Sequence, residues 1–176
     1  MLQTKIVNRQ LPEYRQVVEL FKTAFPKEEQ MPIWLLRALS HRRGISFLAF
    51  FDEDIFCGLT YFIRKNNNLF LLFFAVDGSI RSKGYGTQIL TWLKTHYPDD
   101  QIFLEIETVD STSANYQQRQ SRQKFYFKNG FKDTGVKSKE QNVVYDILST
   151  SESFSAQDYK DLIRHFSFGL MRASTF

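Results

Sequence analysis

A single cysteine, Cys57, is all the thiol chemistry this 176-residue chain has. No internal disulfide can form, which fits a reducing compartment. Cys57 lies inside the apolar run IFCGLTYFI and reads as a small core residue rather than a nucleophile. No run of 18 apolar residues exists, so no membrane-spanning helix is expected. The opening MLQTKIVNRQ has no apolar core segment, so no signal peptide is expected either. A soluble, cytoplasmic protein without a membrane partner follows. Repeats, low-complexity tracts and linkers rich in Pro or Gly are also missing. The histidines, His41, His96 and His165, are scattered without ligand spacing, so no metal is expected.

What the chain does have is apolar bulk. The apolar fraction is 43% and the charged fraction 24%, the balance of a globular protein. The 18 phenylalanines fall mostly in short strand-like runs and read first as core. The formal charge of +4 and pI of about 9.1 are too mild to imply nucleic acid, but they suit a small anionic ligand. Charge is uneven: between Arg119 and Lys139 seven Lys or Arg face one acid, Asp133. A solvated helix face is the plain reading of that stretch. A nucleic-acid surface would need exposed aromatics interleaved with the basic residues, and no regular array is present.

Periodicity gives the elements. Residues 4–8 read as a first strand. Val17, Val18, Phe21, Ala24 and Phe25 share one helical face, with Pro12 suited to the first turn and Pro26 to the stop. MPIWLLRALSHRRG reads as a second helix ending at Gly44. ISFLAFF, IFCGLTYFI and LFLLFFAV are three strands joined by short polar turns, as in an antiparallel meander; the third is apolar on both faces, as a covered strand is. From Tyr85 a helix runs to Pro98, burying Ile89, Leu90, Leu93 and Tyr97. QIFLEIET is the next strand, with Ile102, Leu104 and Ile106 on one side and Phe103, Glu105 and Glu107 on the other. A polar stretch over 108–120 leads to a short helix, SRQKFYFKNGF, stopped at Asn129-Gly130. VVYDIL pairs with a strand near 132–138, and 156–170 reads as a C-terminal helix with Tyr159, Leu162, Ile163 and Phe166 on one side. The expected fold is a single α/β or α+β domain, a mixed sheet with helices on its faces.

One stretch asks for a function. FFAVDGSIRSKGYGTQILTWL places Gly84 and Gly86 where a strand gives way to a helix. The first turn of a helix offers unpaired N–H groups at the positive end of the dipole. Glycines remove the Cβ atoms that would hold a ligand away, and Arg81 and Lys83 add charge. RSKGYGT thus reads as a diphosphate cradle. A P-loop would need four residues between its glycines and a Lys-Ser/Thr after the second. The dinucleotide fingerprint would need a third glycine, where Ile89 stands. A glycine-relaxed loop without a ligand is the alternative.

Arg81-Ser82-Lys83-Gly84-Tyr85-Gly86 resembles the Arg/Gln-x-x-Gly-x-Gly/Ala signature of the GNAT superfamily of acetyl-CoA-dependent N-acyltransferases. FYFKNGF, about forty residues downstream, is similar to that family's LYEKLGF segment, and the element order matches. The resemblance covers roughly residues 3–148. It implies a mostly antiparallel sheet with a central, splayed parallel pair and helices on both faces. Residues 1–150 are then the acetyltransferase domain, and 151–176 a C-terminal helical extension packed on it. Pantetheine is expected to pair with the backbone of Phe74, Ala75 and Val76. The diphosphate is expected on the amides of Arg81, Ser82, Lys83, Gly84, Tyr85, Gly86 and Thr87.

The chemistry the resemblance implies is direct attack of an amine on the acetyl thioester, with a base for the amine proton, an acid for the thiolate and a donor for the oxyanion. Tyr126 matches the family's tyrosine, the proposed acid. Glu105 and Glu107, about 7 Å apart along one strand face, are both candidates for the base or for binding a cationic acceptor, with Glu107, nearer the strand end, favoured. The pattern departs at two positions: Arg119 stands where the family often has Asn, and Arg122 where it often has Ala. Both fall near one helical face with Tyr126 and are candidates for CoA phosphates or an anionic group of the acceptor. The expected function is N-acetyl transfer from acetyl-CoA to an amine, a small molecule in preference to a protein. A CoA-binding sensor or partner module without catalysis is the alternative. The helix after residue 150 is expected to line the acceptor site or form a homodimer contact.

Overall fold

The computed structural model describes residues 2–80, 83–140, 143–167 and 174–176. Among these, seven strands form one mixed sheet in the order β1-β2-β3-β4-β5-β7-β6, and five helices accompany it. Chain contacts divide the protein into two compact units, residues 1–63 with 72–98 and residues 64–71 with 99–176.

The first unit holds β1 (Gln3–Ile6), α1 (Tyr14–Ala24), α2 (Ile33–Leu39), β2 (Ile45–Asp52), most of β3 (Ile55–Lys65), the second half of β4 (Asn68–Val76) and α3 (Tyr85–His96). β1 and β2 pair antiparallel, as do β2 and β3 through a two-residue turn at Glu53-Asp54. Val17 and Phe21 are the buried face of α1, and the Phe21 ring meets Phe73 of β4 edge-on at 4.9 Å. A cluster of Leu2, Phe50, Cys57, Tyr85 and Ile89 fills the space between β2, β3 and α3. Cys57 is fully buried there, and burial pushes its thiol pKa up, so it is the core residue the sequence suggests.

The second unit holds the start of β4, then β5 (Gln101–Glu107), α4 (Tyr116–Lys128), β6 (Lys132–Glu140), β7 (Val143–Ser149) and α5 (Ala156–Phe166). β4 is entered through Asn66-Asn67, both at positive φ (51° and 57°), the conformation of a two-residue hairpin turn that asparagine tolerates. The parallel register between β4 and β5 covers Asn68↔Gln101 to Phe70↔Phe103, while β4 runs on to Val76 and β5 to Glu107. β5 pairs antiparallel with β7, and β7 with β6. Tyr159, Leu162, Ile163 and Phe166 are the buried stripe of α5, and Ser155 caps it by accepting from the amide of Gln157.

Element types and order agree with the sequence reading; several boundaries do not. β1 spans Gln3–Ile6 rather than 4–8. Pro12 precedes the cap residue Glu13 instead of entering the first turn of α1. α2 ends at Leu39, because the Ser40 hydroxyl turns back onto the carbonyl of Arg37. α4 begins at Tyr116, five residues before the expected start; its first turns are polar and show no apolar stripe. α5 ends at Phe166 among the described residues, and 168–170 lie outside them.

Candidate active-site residues and the family they define

Gly84 opens α3. Its φ of 74° is left-handed, a conformation that costs an L side chain roughly 1–2 kcal/mol. A Cβ built on it would meet no atom within 4 Å, so the position faces open space. No side chain caps the helix, and no acid occupies its first turn. The positive end of a twelve-residue helix is thus left for an external anion. Lys83 and Thr87 are exposed beside it. Arg81 and Ser82 lie outside the described residues. Tyr85 points inward, where its hydroxyl donates to the Asp52 carboxylate at 2.8 Å and ties the start of α3 to the end of β2. That hydrogen bond, with burial, pushes the Tyr85 phenol up to about 12.

The strand leading to this turn is placed by a glycine the sequence reading passed over. A Cβ on Gly58 would lie 2.4 Å from the carbonyl oxygen of Ala75 and 3.2 Å from the Cα of Val76. Only glycine lets β3 approach the end of β4 this closely. The amide of Asp77 then donates to the carbonyl of Cys57 at 2.9 Å. Phe74, Ala75 and Val76 are held at that end, with Phe74 and Val76 packed against the Cys57 cluster. A glycine in mid-strand was the available signal.

In the second unit, the favoured base is engaged. Arg119 donates to Glu107 at 2.7 Å, Arg122 to its other oxygen at 3.4 Å, and the Asn115 amide to that same oxygen at 3.2 Å. Arg119 also donates to the carbonyl of Thr108 at 2.9 Å and to the Asn115 side chain at 2.7 Å. Glu107 and Arg119 are both 17% exposed. Every guanidinium nitrogen of Arg119 therefore has a partner within the chain, and the expected reach toward a phosphate or an acceptor anion would break these contacts. The arrangement staples the start of α4 to the end of β5. Spacing alone could not show it, because the partners are twelve residues apart across a turn.

Glu105 sits two residues earlier on β5 and has different company. Its Oε1 accepts from the Tyr159 hydroxyl at 2.8 Å and from the Ser138 hydroxyl. Tyr126 is buried, edge-on to Phe125 at 5.2 Å and to Phe131 at 5.6 Å. Its hydroxyl has no hydrogen-bond partner among the described residues, and burial pushes its pKa up to about 12 against the opposing charge of Arg122. The phenol keeps its proton at neutral pH and remains a donor. Lys124 and Lys128 are exposed on the same helix, as a solvated face requires.

The family described as acetyltransferase (GNAT) matches residues 13–131, from the cap of α1 to the residue before β6. The chain belongs to that family. It is by class an acetyl-CoA-dependent N-acetyltransferase. Solved structures share its fold. A GNAT-family protein from Bacteroides thetaiotaomicron superposes with a TM-score of 0.74 at 22% identity, over 97% of this chain and 99% of that one. An aminoglycoside 6'-N-acetyltransferase complexed with coenzyme A gives 0.66 at 17% identity, over 87% and 98%. The ribosomal-protein-S18-alanine N-acetyltransferase from Escherichia coli gives 0.62 at 12% identity, over 90% and 98%. Comparison with curated proteins yields no match. Among the described residues no helix is long and apolar enough to cross a membrane.

Proposed function

We propose that this acetyltransferase moves acetyl directly from acetyl-CoA to a small-molecule amine, without a covalent enzyme intermediate. The observation that carries the CoA half of this reading is the uncapped, left-handed start of α3 at Gly84, within the family motif. In the proposal, the amides of Lys83 to Thr87, with Arg81 and Ser82, hold the diphosphate. The backbone of Phe74, Ala75 and Val76 holds the pantetheine arm.

The amine nitrogen attacks the thioester carbonyl as its proton passes to a carboxylate. The C–N bond forms, the tetrahedral intermediate collapses, and the C–S bond breaks. Tyr126 is the proposed acid. A phenol near 12 holds its proton more tightly than a thiol near 8.5, so Tyr126 serves the leaving thiolate chiefly by donating a hydrogen bond. Glu105, which accepts from the Tyr159 and Ser138 hydroxyls, is the proposed base; Glu107 would have to give up guanidinium contacts to accept a proton. Glu107, Arg119 and Arg122 then work as a brace for α4, the helix that carries Tyr126.

Thiol release from acetyl-CoA, measured against a panel of polyamines, aminoglycosides, amino acids and peptide amines, tests the reading. Release with a small amine in excess of any peptide supports it. Release only with peptide N-termini would move the acceptor to proteins. Release with none of them would leave a CoA-binding module without catalysis.

A further inference from the structure

By its own composition the first turn of α3 is weak. Gly86 stands inside it, and glycine is the poorest helix former after proline. The cap residue, Gly84, has no side chain to hold the entry. Thr87 and Gln88 are exposed. From Gly84 to Gln88 only Tyr85 buries a side chain. The Gln88 amide closes the turn on the Gly84 carbonyl at 3.0 Å, and the Gln88 side chain reaches back to the Lys83 carbonyl at 3.3 Å from its exposed position. The glycines that open the turn to a ligand thus also remove the side chains that would keep it in order.

Tyr85 supplies that order from outside the helix. Its ring lies in the cluster of Leu2, Phe50, Cys57 and Ile89, and its hydroxyl donates to Asp52 at 2.8 Å. A hydrogen bond to a carboxylate is stronger than one between neutral groups. The acceptor is also well fixed. Asp52 ends β2 and pairs with Ile55 across the two-residue turn Glu53-Asp54, where Glu53 takes a positive φ of 54°. A hairpin this tight holds the carboxylate at one place. The first turn of α3 is therefore tied to β2 by a side chain 33 residues away in the chain.

We propose that Asp52 is a positioning residue for acetyl-CoA: through the Tyr85 hydroxyl it holds the first turn of α3 closed before the ligand arrives. A turn closed only part of the time binds with an affinity reduced by the closed fraction, and the Asp52–Tyr85 hydrogen bond raises that fraction. This rests on the reading of the Gly84 turn as the diphosphate site given above.

The test pairs acetyl-CoA calorimetry with NMR exchange of the Gln88 amide, which reads opening of the turn without any ligand. Asp52→Asn and Asp52→Ala both remove the charge, and only Asn keeps an acceptor for the phenol. Relative to Asp52→Asn, Asp52→Ala should bind acetyl-CoA about threefold more weakly and exchange Gln88 about threefold faster, the population change of a roughly tenfold weaker closure. Tyr85→Phe, which keeps the ring in its cluster, should differ from the wild type in the same way. The double variant Tyr85→Phe/Asp52→Ala should be no weaker than Asp52→Ala alone. Should Asp52→Ala not fold, Tyr85→Phe against the wild type makes the same comparison. Asp52→Ala that matches Asp52→Asn in affinity and exchange overturns the proposal. Weaker binding with unmoved exchange overturns it too, because the loss would then not come from the turn, and so does faster exchange with unmoved affinity. Wild-type protein that binds no acetyl-CoA would instead sink the diphosphate reading, and the exchange comparison still decides whether Asp52 closes the turn.

Discussion

Arg119 on α4 donates to Glu107 at the end of β5 at 2.7 Å, and a second guanidinium nitrogen donates to the neighbouring carbonyl of Thr108 at 2.9 Å. One side chain thereby fixes both the last side chain of a strand and the backbone just beyond it. Arg119→Ala leaves Glu107 with weaker partners and the Thr108 carbonyl without its side-chain donor. A loss of about 1.5–3 kcal/mol in urea unfolding is expected. Glu107→Gln should cost less, since the amide oxygen can still accept from Arg119. If both variants unfold with the wild type, the staple contributes nothing and Glu107 returns as a candidate base.

Gly58→Ala tests how closely β3 must approach the end of β4. The new methyl would lie 2.4 Å from the Ala75 carbonyl oxygen, a backbone atom that cannot rotate away. A destabilisation of about 1–3 kcal/mol is expected, as for other forced overpacking. Acetyl-CoA affinity should fall as well, because Ala75 and Val76 are the proposed pantetheine contacts. A variant with wild-type stability and affinity would show that the strand end yields freely.

Tyr126→Phe removes the proposed donor to the thiolate and keeps the ring against Phe125 and Phe131. Turnover should drop about a hundredfold, within the ordinary range for a general acid, while acetyl-CoA affinity holds. Equal turnover in mutant and wild type would reduce Tyr126 to packing.

The buried tyrosines predict an alkaline limit. Tyr61, Tyr126 and Tyr159 all have phenol pKa values raised chiefly by burial, Tyr126 to about 12. A raised folded-state value means the native state keeps a proton that the unfolded chain loses near pH 10. The associated stability is intact below about pH 10 and falls as pH climbs through the folded values. Ultraviolet phenolate titration should show these three ionising only with unfolding. Early, reversible ionisation of all eight tyrosines would contradict the burial described here.

Much of this arrangement is legible in the chain because single residues or short periods encode it. The apolar runs of β2, β3 and β4 announce themselves, and Gly84 and Gly86 mark the turn into α3. Tyr85 already changes character on folding: it stands in the motif, yet its hydroxyl serves Asp52. The first turns of α4 escaped because YQQRQ is held by polar contacts, without an apolar stripe to count. Glu105 and Glu107 look equivalent along the strand. Their difference comes from α4 in one case and from β6 and α5 in the other, and no local spacing carries it. Arg119 and Arg122 read as anion contacts because their partner Glu107 lies across a turn.

Titration calorimetry with acetyl-CoA, on the wild type and on Gly84→Glu, tests the central claim most directly. The account predicts binding by the wild type and none by the folded variant, whose added carboxylate would sit at the positive end of α3. Equal affinity in the two, or no binding by the wild type, would contradict the assignment of the Gly84 turn as the diphosphate site.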